Sequence, residues 1–353
     1  MTATRVSVAR LAALLALITA GCDQPREPAA LPPPAREPAA PADVAPAPAP
    51  DAAAPPAPLR GAPFRIERAA AAGPSRVFAV ASQRLWHIAG DRWTELPVEG
   101  ASVRDVTALN GVIWVLTRGV GANAGHVTVL RSSGRDDLAV AHDFVTPAEH
   151  DPRALAVTSE REFFVGGASP SLLRGRFVGA LQTNVHTLPA TVDKLLYMPD
   201  QMMAVTYVDG TVGMFRWGET NAVERPDYLF SFTGMRDSLI MRRDGAVWRG
   251  RVWEAPVETD RLSSASGITP VAAATLRDQR VVEIDARARS RMLQDGRWSD
   301  VEVPEAPAAV VGLYGGRSLA EGLCVMVDRD GGVFELVGAR WVRRVAPPTG
   351  EVR

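Results

Sequence analysis

Two nine-residue stretches of this 353-residue chain align without a gap although 248 positions separate them. Leu85-Trp86-His87-Ile88-Ala89-Gly90-Asp91-Arg92-Trp93 pairs with Val333-Phe334-Glu335-Leu336-Val337-Gly338-Ala339-Arg340-Trp341. The Arg-Trp step recurs at Arg297-Trp298, and a proline closes each copy, at Pro97, Pro304 and Pro347. A second motif, Asp-Gly-x-Val, stands at Asp209, Asp244 and Asp330. Trp298 to Trp341 is 43 residues, Trp93 to Trp298 is 205 or five steps of 41, and Asp244 to Asp330 is 86 or two steps of 43. Self-similarity at a fixed period of this size means stacked copies of one supersecondary unit, none of which can bury its apolar face alone.

What the unit contains follows from local pattern. Short runs rich in Val, Leu, Ile, Phe and Trp alternate with Gly, Asp, Asn and Pro from Phe64 to Pro348. Examples are Arg76–Ala81, Val112–Thr117, Val127–Arg131, Leu195–Met198, Met202–Tyr207 and Val281–Asp285. No long stretch keeps helical periodicity, so these are closely spaced strands. Each Asp-Gly copy falls between two apolar runs and reads as a tight hairpin of type I′. Four short strands fill one period, the size of a β-propeller blade. Six periods from Trp93 to Trp341 predict seven four-stranded blades, at 64–100, 101–148, 149–190, 191–226, 227–262, 263–305 and 306–348, with six or eight left open. The repeated Trp and Val side chains are expected between blades. Closure is expected by packing of the last blade against the first, with no blade shared by both termini.

The amino terminus reads as an export signal. Arg5 and Arg10 precede the ten-residue apolar stretch Leu11 to Ala20, too short to span a bilayer. Ala20 and Gly21 then precede Cys22, which resembles the lipobox of bacterial lipoproteins, with Thr19 in place of the usual Leu. The resemblance implies cleavage after residue 21, a diacylglycerol on the Cys22 thiol and an acylated new amino terminus. Each buried methylene of such an anchor contributes about 0.8 kcal/mol. Asp23 resembles an inner-membrane retention signal, whose meaning depends on lineage. The expected location is the cell envelope, on the inner or outer membrane, with the rest of the chain outside the cytoplasm. From Asp23 to Pro63, 14 Pro and 14 Ala fill 28 of 41 positions. Such a segment buries too little apolar surface to order itself, and proline stiffens it toward polyproline II, up to roughly 120 Å long. It reads as a spacer between the lipid and a domain at 64–348, with 349–353 a tail.

The domain resembles β-propeller repeat proteins across about 285 residues. It lacks the Gly-His and Trp-Asp pairs of WD repeats and the spaced Tyr and Trp that follow Gly-Gly in kelch repeats. It also lacks the sialidase Asp-box spacing and the quinoprotein Trp-docking pattern.

Charge and motif arguments narrow the chemistry. The chain has 39 Lys plus Arg against 40 Asp plus Glu, which excludes a generic polyanion-binding surface, and nucleic acid is not an expected partner. Lys194 is the only lysine, which disfavours Schiff-base chemistry and lysine-based phosphate binding. Gly-x-Ser-x-Gly and Ser-x-x-Lys are absent. Gly119, Gly121 and Gly125 precede a strand, where a dinucleotide fingerprint needs a helix, so they read as a hairpin loop. Asp136, Asp137, His142, Asp143, Glu149, His150 and Asp151 crowd into 16 residues. They would hold a divalent ion only if they converged, and a strand at Ala139–Val145 would divide them between faces, making a solvated polar edge. His87, His126 and His186 read as packed or surface histidines and Cys324 as a buried thiol. Trp217, Trp248 and Trp253 read as repeat packing. No catalytic residue, cofactor or metal is assigned, and Cys22 is the one site residue. The expected function is a membrane-tethered binding module for a protein or glycan, the alternative an envelope hydrolase or lyase with its site at the channel mouth.

Overall fold

The computed structural model describes residues 64–346 except 90, 133–136, 147–149, 199–201, 217–222, 225–227, 234–237, 243–245, 251–259, 262–265, 277, 279, 317–318 and 320–322. Between 214 and 265 it describes backbone, and of the side chains only that of Ala246. Regular structure among the described residues is almost wholly strand, in seven antiparallel sheets of four strands, each sheet formed by four consecutive strands in sequence order. The first strands are Arg68–Gly73, Ala101–Leu109, Pro152–Ser159, Val192–Met198, Tyr228–Thr233, Pro270–Thr275 and Val310–Tyr314. Each lies beside the first strand of the next sheet, and Val310–Tyr314 lies beside Arg68–Gly73, so the sheets close a ring with these strands innermost. The fold is a β-propeller, and the sheets are its blades.

The apolar runs exist because a blade interior is covered on both faces. In Arg76–Ala81 every residue after Arg76 is buried. Val77, Ala79 and Ala81 join a cluster with Val325, Val327, Val333 and Val345 of the seventh blade. Phe78 and Val80 point the other way, to Val103, Val106, Ile113 and Val115 of the second. Side chains of a strand alternate between faces, so one run feeds two cores. Further clusters join the second blade to the third, the third to the fourth and the sixth to the seventh. The hydrophobic core is a set of seams between blades.

The Arg-Trp steps open the outermost strands Arg92–Leu96, Arg297–Val301 and Arg340–Val345. Trp341 is buried and its indole N–H donates to Ser290 Oγ of the sixth blade at 3.0 Å. Trp93 of the first blade donates to the Gly331 carbonyl of the seventh at 2.9 Å. Trp93 and Trp341 thus each bolt their blade to the preceding one, while Trp298, in the third copy of the step, is half-buried. Phe64, the first described residue, sets its ring edge-on to Trp86 at 5.1 Å. Among the described residues no strand is exchanged between the first and last blades, so closure there rests on contacts of this kind.

The type I′ expectation for the Asp-Gly-x-Val copies is corrected. In the copies at Asp209 and Asp330 only the glycine has positive φ, 82° at Gly210 and 97° at Gly331. Gly210 N–H donates to Tyr207 C=O at 2.9 Å and Gly331 N–H to Asp328 C=O at 3.2 Å, closing three-residue loops with a glycine bulge. Asp244-Gly245 lies outside the described residues. Two positive φ angles occur instead in two-residue loops, at Ser82-Gln83, Asn110-Gly111 and Asp295-Gly296. Loop length, not the dipeptide, selects the turn.

Candidate functional site

All inner strands run the same way, so their first residues gather at one end of the ring, called here the upper face. The turns between second and third strands lie at this face too: Val103 N–H donates to Gln83 C=O at 2.8 Å and Ile66 N–H to Arg329 C=O at 2.7 Å. Near its upper end each inner strand carries one extra residue against its neighbour. The register skips Arg104, Arg153, Asp193, Leu229, Val271 and Val311. In the first blade Glu67 N–H reaches the Val80 carbonyl at 2.8 Å, while Arg68 is the residue paired with Val80. A bulge removes a side chain from the pleat and re-aims it. In the six blades whose bulged side chain is described it frees that residue from the seams: Glu67, Arg153 and Val271 are exposed, and Arg104, Asp193 and Val311 partly so.

These residues divide the channel mouth into unlike halves. The first four blades bring Glu67, Arg104, Arg153 and Asp193 at the bulge, and Arg68, Asp105 and Lys194 one residue further on. The sixth and seventh bring Val271 and Val311, followed by Ala272 and Gly312. The Arg68 guanidinium donates to Asp193 Oδ1 at 2.6 Å and to the Asp193 carbonyl at 3.1 Å. The first and fourth blades are not neighbours in the ring, so this pair spans the channel. Asp151, just above the third inner strand, pairs with Arg118, and with Arg104 at 3.5 Å. Arg153 and Lys194 are exposed and have no ion-pair partner among the described residues.

Beneath the rim lies a buried carboxylate. Asp105 Oδ2 accepts from Leu155 N–H at 2.7 Å and Oδ1 from Val106 N–H at 2.8 Å, tying the second inner strand to the third. Burial raises its pKa to about 6 against the pull of Arg68, the two amides and Lys194. Burial likewise opposes the charge of Arg68, but Asp105 and Asp193 outweigh it and raise its pKa. Tyr314 donates to the Ala69 carbonyl at 2.7 Å across the closing seam, and burial together with the Asp105 charge raises its pKa.

The acidic and histidine run does not converge. His142 is buried against the Phe163 ring at 4.8 Å, and burial lowers its pKa. Asp143 accepts from Thr128 Oγ1 at 3.0 Å on the exposed side and lies 3.7 Å from His126 Nδ1. His150 Nδ1 lies 2.7 Å from Ser171 Oγ. Asp137 is exposed, and Asp136 and Glu149 lie outside the described residues. Among the described residues no group of three or more His, Cys, Asp or Glu is placed to hold a metal ion. His87 is buried and stacked on Phe78 at 4.3 Å. Cys324 is buried, and burial pushes its thiol up to about 12. The Gly119–Gly125 segment holds one short 3-10 turn, Gly121–Asn123, before the strand His126–Ser132, as a hairpin loop should. Cys22, Trp217 and Trp253 lie outside the described residues, as does the side chain of Trp248.

The rim residues escaped sequence reading, although a signal was present. Glu67-Arg68, Arg104-Asp105 and Asp193-Lys194 are charge doublets set just before apolar runs, at one register of the repeat.

No protein-family profile matches the chain, and no curated protein matches it. Solved structures do. A YCF48 structure, bound to D1 peptide, matches with a TM-score of 0.52 at 10% identity, over 78% of this chain and 93% of that one. PorZ, a bacterial surface component of the type-IX secretion system of Porphyromonas gingivalis, gives 0.52 at 13% identity over 82% of this chain and 39% of PorZ. Raptor of Chaetomium thermophilum gives 0.55 at 11% identity over 79% of this chain and 29% of Raptor. At these identities the likeness is one of fold: this chain shares the β-propeller architecture of proteins with which it has little sequence in common.

Proposed function

We propose that this chain is an envelope lipoprotein, anchored through Cys22 and carried on its Pro/Ala spacer, whose propeller binds a protein partner at the upper mouth of its channel. The observation that carries the reading is the two-sided mouth. Its charged half is held rigid by the pairs Arg68–Asp193 and Arg118–Asp151, with Arg153 and Lys194 left over. Its other half presents Val271 and Val311. A polypeptide offers charged and apolar groups on one strand and suits such a surface. A glycan would call for an aromatic platform, and none of the bulged residues is aromatic. The YCF48 structure, which holds a peptide of D1, shows the same fold in use for peptide binding in another protein.

Two experiments test this. Metabolic palmitate should label the wild-type chain and not Cys22→Ser, which should also leave the membrane fraction; unchanged labelling removes the anchor. A photo-crosslinking amino acid placed at Val271, or at Arg153, should trap one and the same protein in intact cells. Absence of any adduct at both positions removes the binding reading.

The hydrolase alternative has one contact in its favour, the 2.7 Å approach of His150 Nδ1 to Ser171 Oγ. It requires that a fluorophosphonate label Ser171 and that His150→Ala abolish labelling.

A further inference from the structure

Most charges at the channel mouth are answered within the chain. Asp193 is held by Arg68 at 2.6 Å. Asp151 accepts from Arg118 and lies 3.5 Å from Arg104. Asp105 has its two oxygens taken by the amides of Leu155 and Val106. Glu67, on the first blade, acts on its neighbour Arg68 and helps to raise its pKa. Arg153 and Lys194 are different: both are exposed, and neither has an ion-pair partner among the described residues. Lys194 acts on Asp105 through space, but no hydrogen bond joins the two.

The two cations fall together in the fold. They stand on the inner strands Pro152–Ser159 and Val192–Met198, which lie side by side. Arg153 is the residue that the bulge of its strand sets free, and Lys194 directly follows the bulged residue of the next. Two long cationic side chains on adjacent strands can hold one carboxylate between them. Across the ring, the sixth and seventh blades present Val271 and Val311. The mouth therefore has a corner of unanswered positive charge on one side and an apolar lip on the other.

We infer that the partner segment is acidic, placing a carboxylate between Arg153 and Lys194 and an apolar side chain against Val271 and Val311. This rests on the reading of the mouth as a protein-binding site, and it names the chemistry of what is bound there. Covering the two valines favours association, and the charge-assisted contacts fix which end of the segment lies over the third and fourth blades. An extended segment advances about 3.4 Å per residue, so the acidic and apolar residues stand a few positions apart. The carboxylate is that of an Asp or Glu side chain or of the partner's own chain terminus.

Lys194 makes the test direct, because it is the only lysine of the chain. A water-soluble carbodiimide joins a carboxylate to an amine in contact with it, as an amide, with loss of water. Membranes from cells carrying the full chain are treated with it, and the adducts are read by mass spectrometry. An amide should join Lys194 to the same protein that the photo-crosslinker at Val271 traps. The residue on the far side of that amide tells an Asp or Glu side chain from a chain terminus. Lys194→Arg should keep the Val271 photo-adduct and lose the amide. Arg153→Glu with Lys194→Glu should lower the photo-adduct yield about tenfold or more, having exchanged two charge-assisted contacts for repulsion. Arg297→Glu, on an outer strand, should leave the yield unchanged. These are exposed positions, and unaltered far-UV circular dichroism and melting confirm that the variants fold. A Val271 photo-adduct without a Lys194 amide to the same protein overturns the inference and leaves the protein-binding reading standing. So does an amide from Lys194 to a carboxylate of its own chain, or a yield that the double variant does not lower. Absence of any photo-adduct at both Val271 and Arg153 is failure of the reading itself, and the inference falls with it.

Discussion

The indole of Trp93 donates a hydrogen bond to the carbonyl of Gly331 at 2.9 Å, across 238 positions of sequence. Among the described residues it closes the ring together with Ile66 N–H to Arg329 C=O and Tyr314 Oη to Ala69 C=O, each at 2.7 Å. Among the described residues no strand passes between the terminal blades, so such single contacts support the seam.

Trp93→Phe should therefore destabilise the chain by about 1 kcal/mol, the net worth of one hydrogen bond. Trp93→Ala should cost about 3–5 kcal/mol through the cavity it leaves among Ile66, Trp86 and Val345. Urea denaturation reads both. A Trp93→Ala cost no larger than that of a surface substitution would show that the seam closes without it.

Asp105 makes stability depend on pH. Its folded pKa, about 6, lies above the usual carboxylate value, so the folded state binds the proton more tightly than the unfolded chain does. Its contribution is then fully present below pH 4 and is lost as pH rises through 6. Glu283, buried and raised to about 7 by burial, acts in the same direction over a slightly higher range. Asp105→Asn should flatten the fall in melting temperature between about pH 4 and 6 while leaving the part up to 7, which Glu283→Gln should remove. A wild-type melting temperature that rises steadily from pH 4 to 7 would contradict both assignments.

Arg68 and Asp193 should be energetically coupled although 125 positions and three blades separate them. Both side chains are partly exposed, so a double-mutant cycle with Arg68→Met and Asp193→Asn should give only about 0.5–1 kcal/mol, decreasing with salt. A coupling of zero at low salt would mean that the pair does not bridge the channel in solution.

Two glycines of the third blade should resist a methyl group. A Cβ on Gly175 would stand 2.2 Å from Phe163 Cζ, and one on Gly166 would stand 2.5 Å from Val192 Cγ1. Phe163 packs between Gly175 and the aromatic pair His142 and Phe144, so it has no room to retreat. Gly175→Ala and Gly166→Ala should each cost about 1–3 kcal/mol by thermal denaturation. Gly73→Ala, which meets nothing within 4 Å, should be neutral or slightly stabilising.

The repeat was legible because one physical demand recurs in every unit. A strand buried on both faces must be apolar throughout, and an indole that bolts one blade to the last must recur in register, as Trp93 and Trp341 do. Those demands made the strands, the four-stranded unit and the boundaries between units readable; each expected boundary falls between two of the observed sheets. The turns were less legible. Asp-Gly occurs both in two-residue loops, as at Asp295, and in three-residue loops, as at Asp209 and Asp330, and loop length is fixed by how the flanking strands pair.

The sequence by itself determined the class of fold and the period of its repeat, because hydrophobic pattern and turn chemistry act within one unit. It also carries the Cys22 and Pro/Ala features on which the anchoring proposal rests. Only the tertiary structure decided what meets in the middle. Arg68, Asp105 and Asp193 lie in three different blades, and no local rule relates them. They share a site because ring closure brings the inner strands around one axis, and because the three residues stand at or next to a one-residue bulge that falls at the same register of their strands.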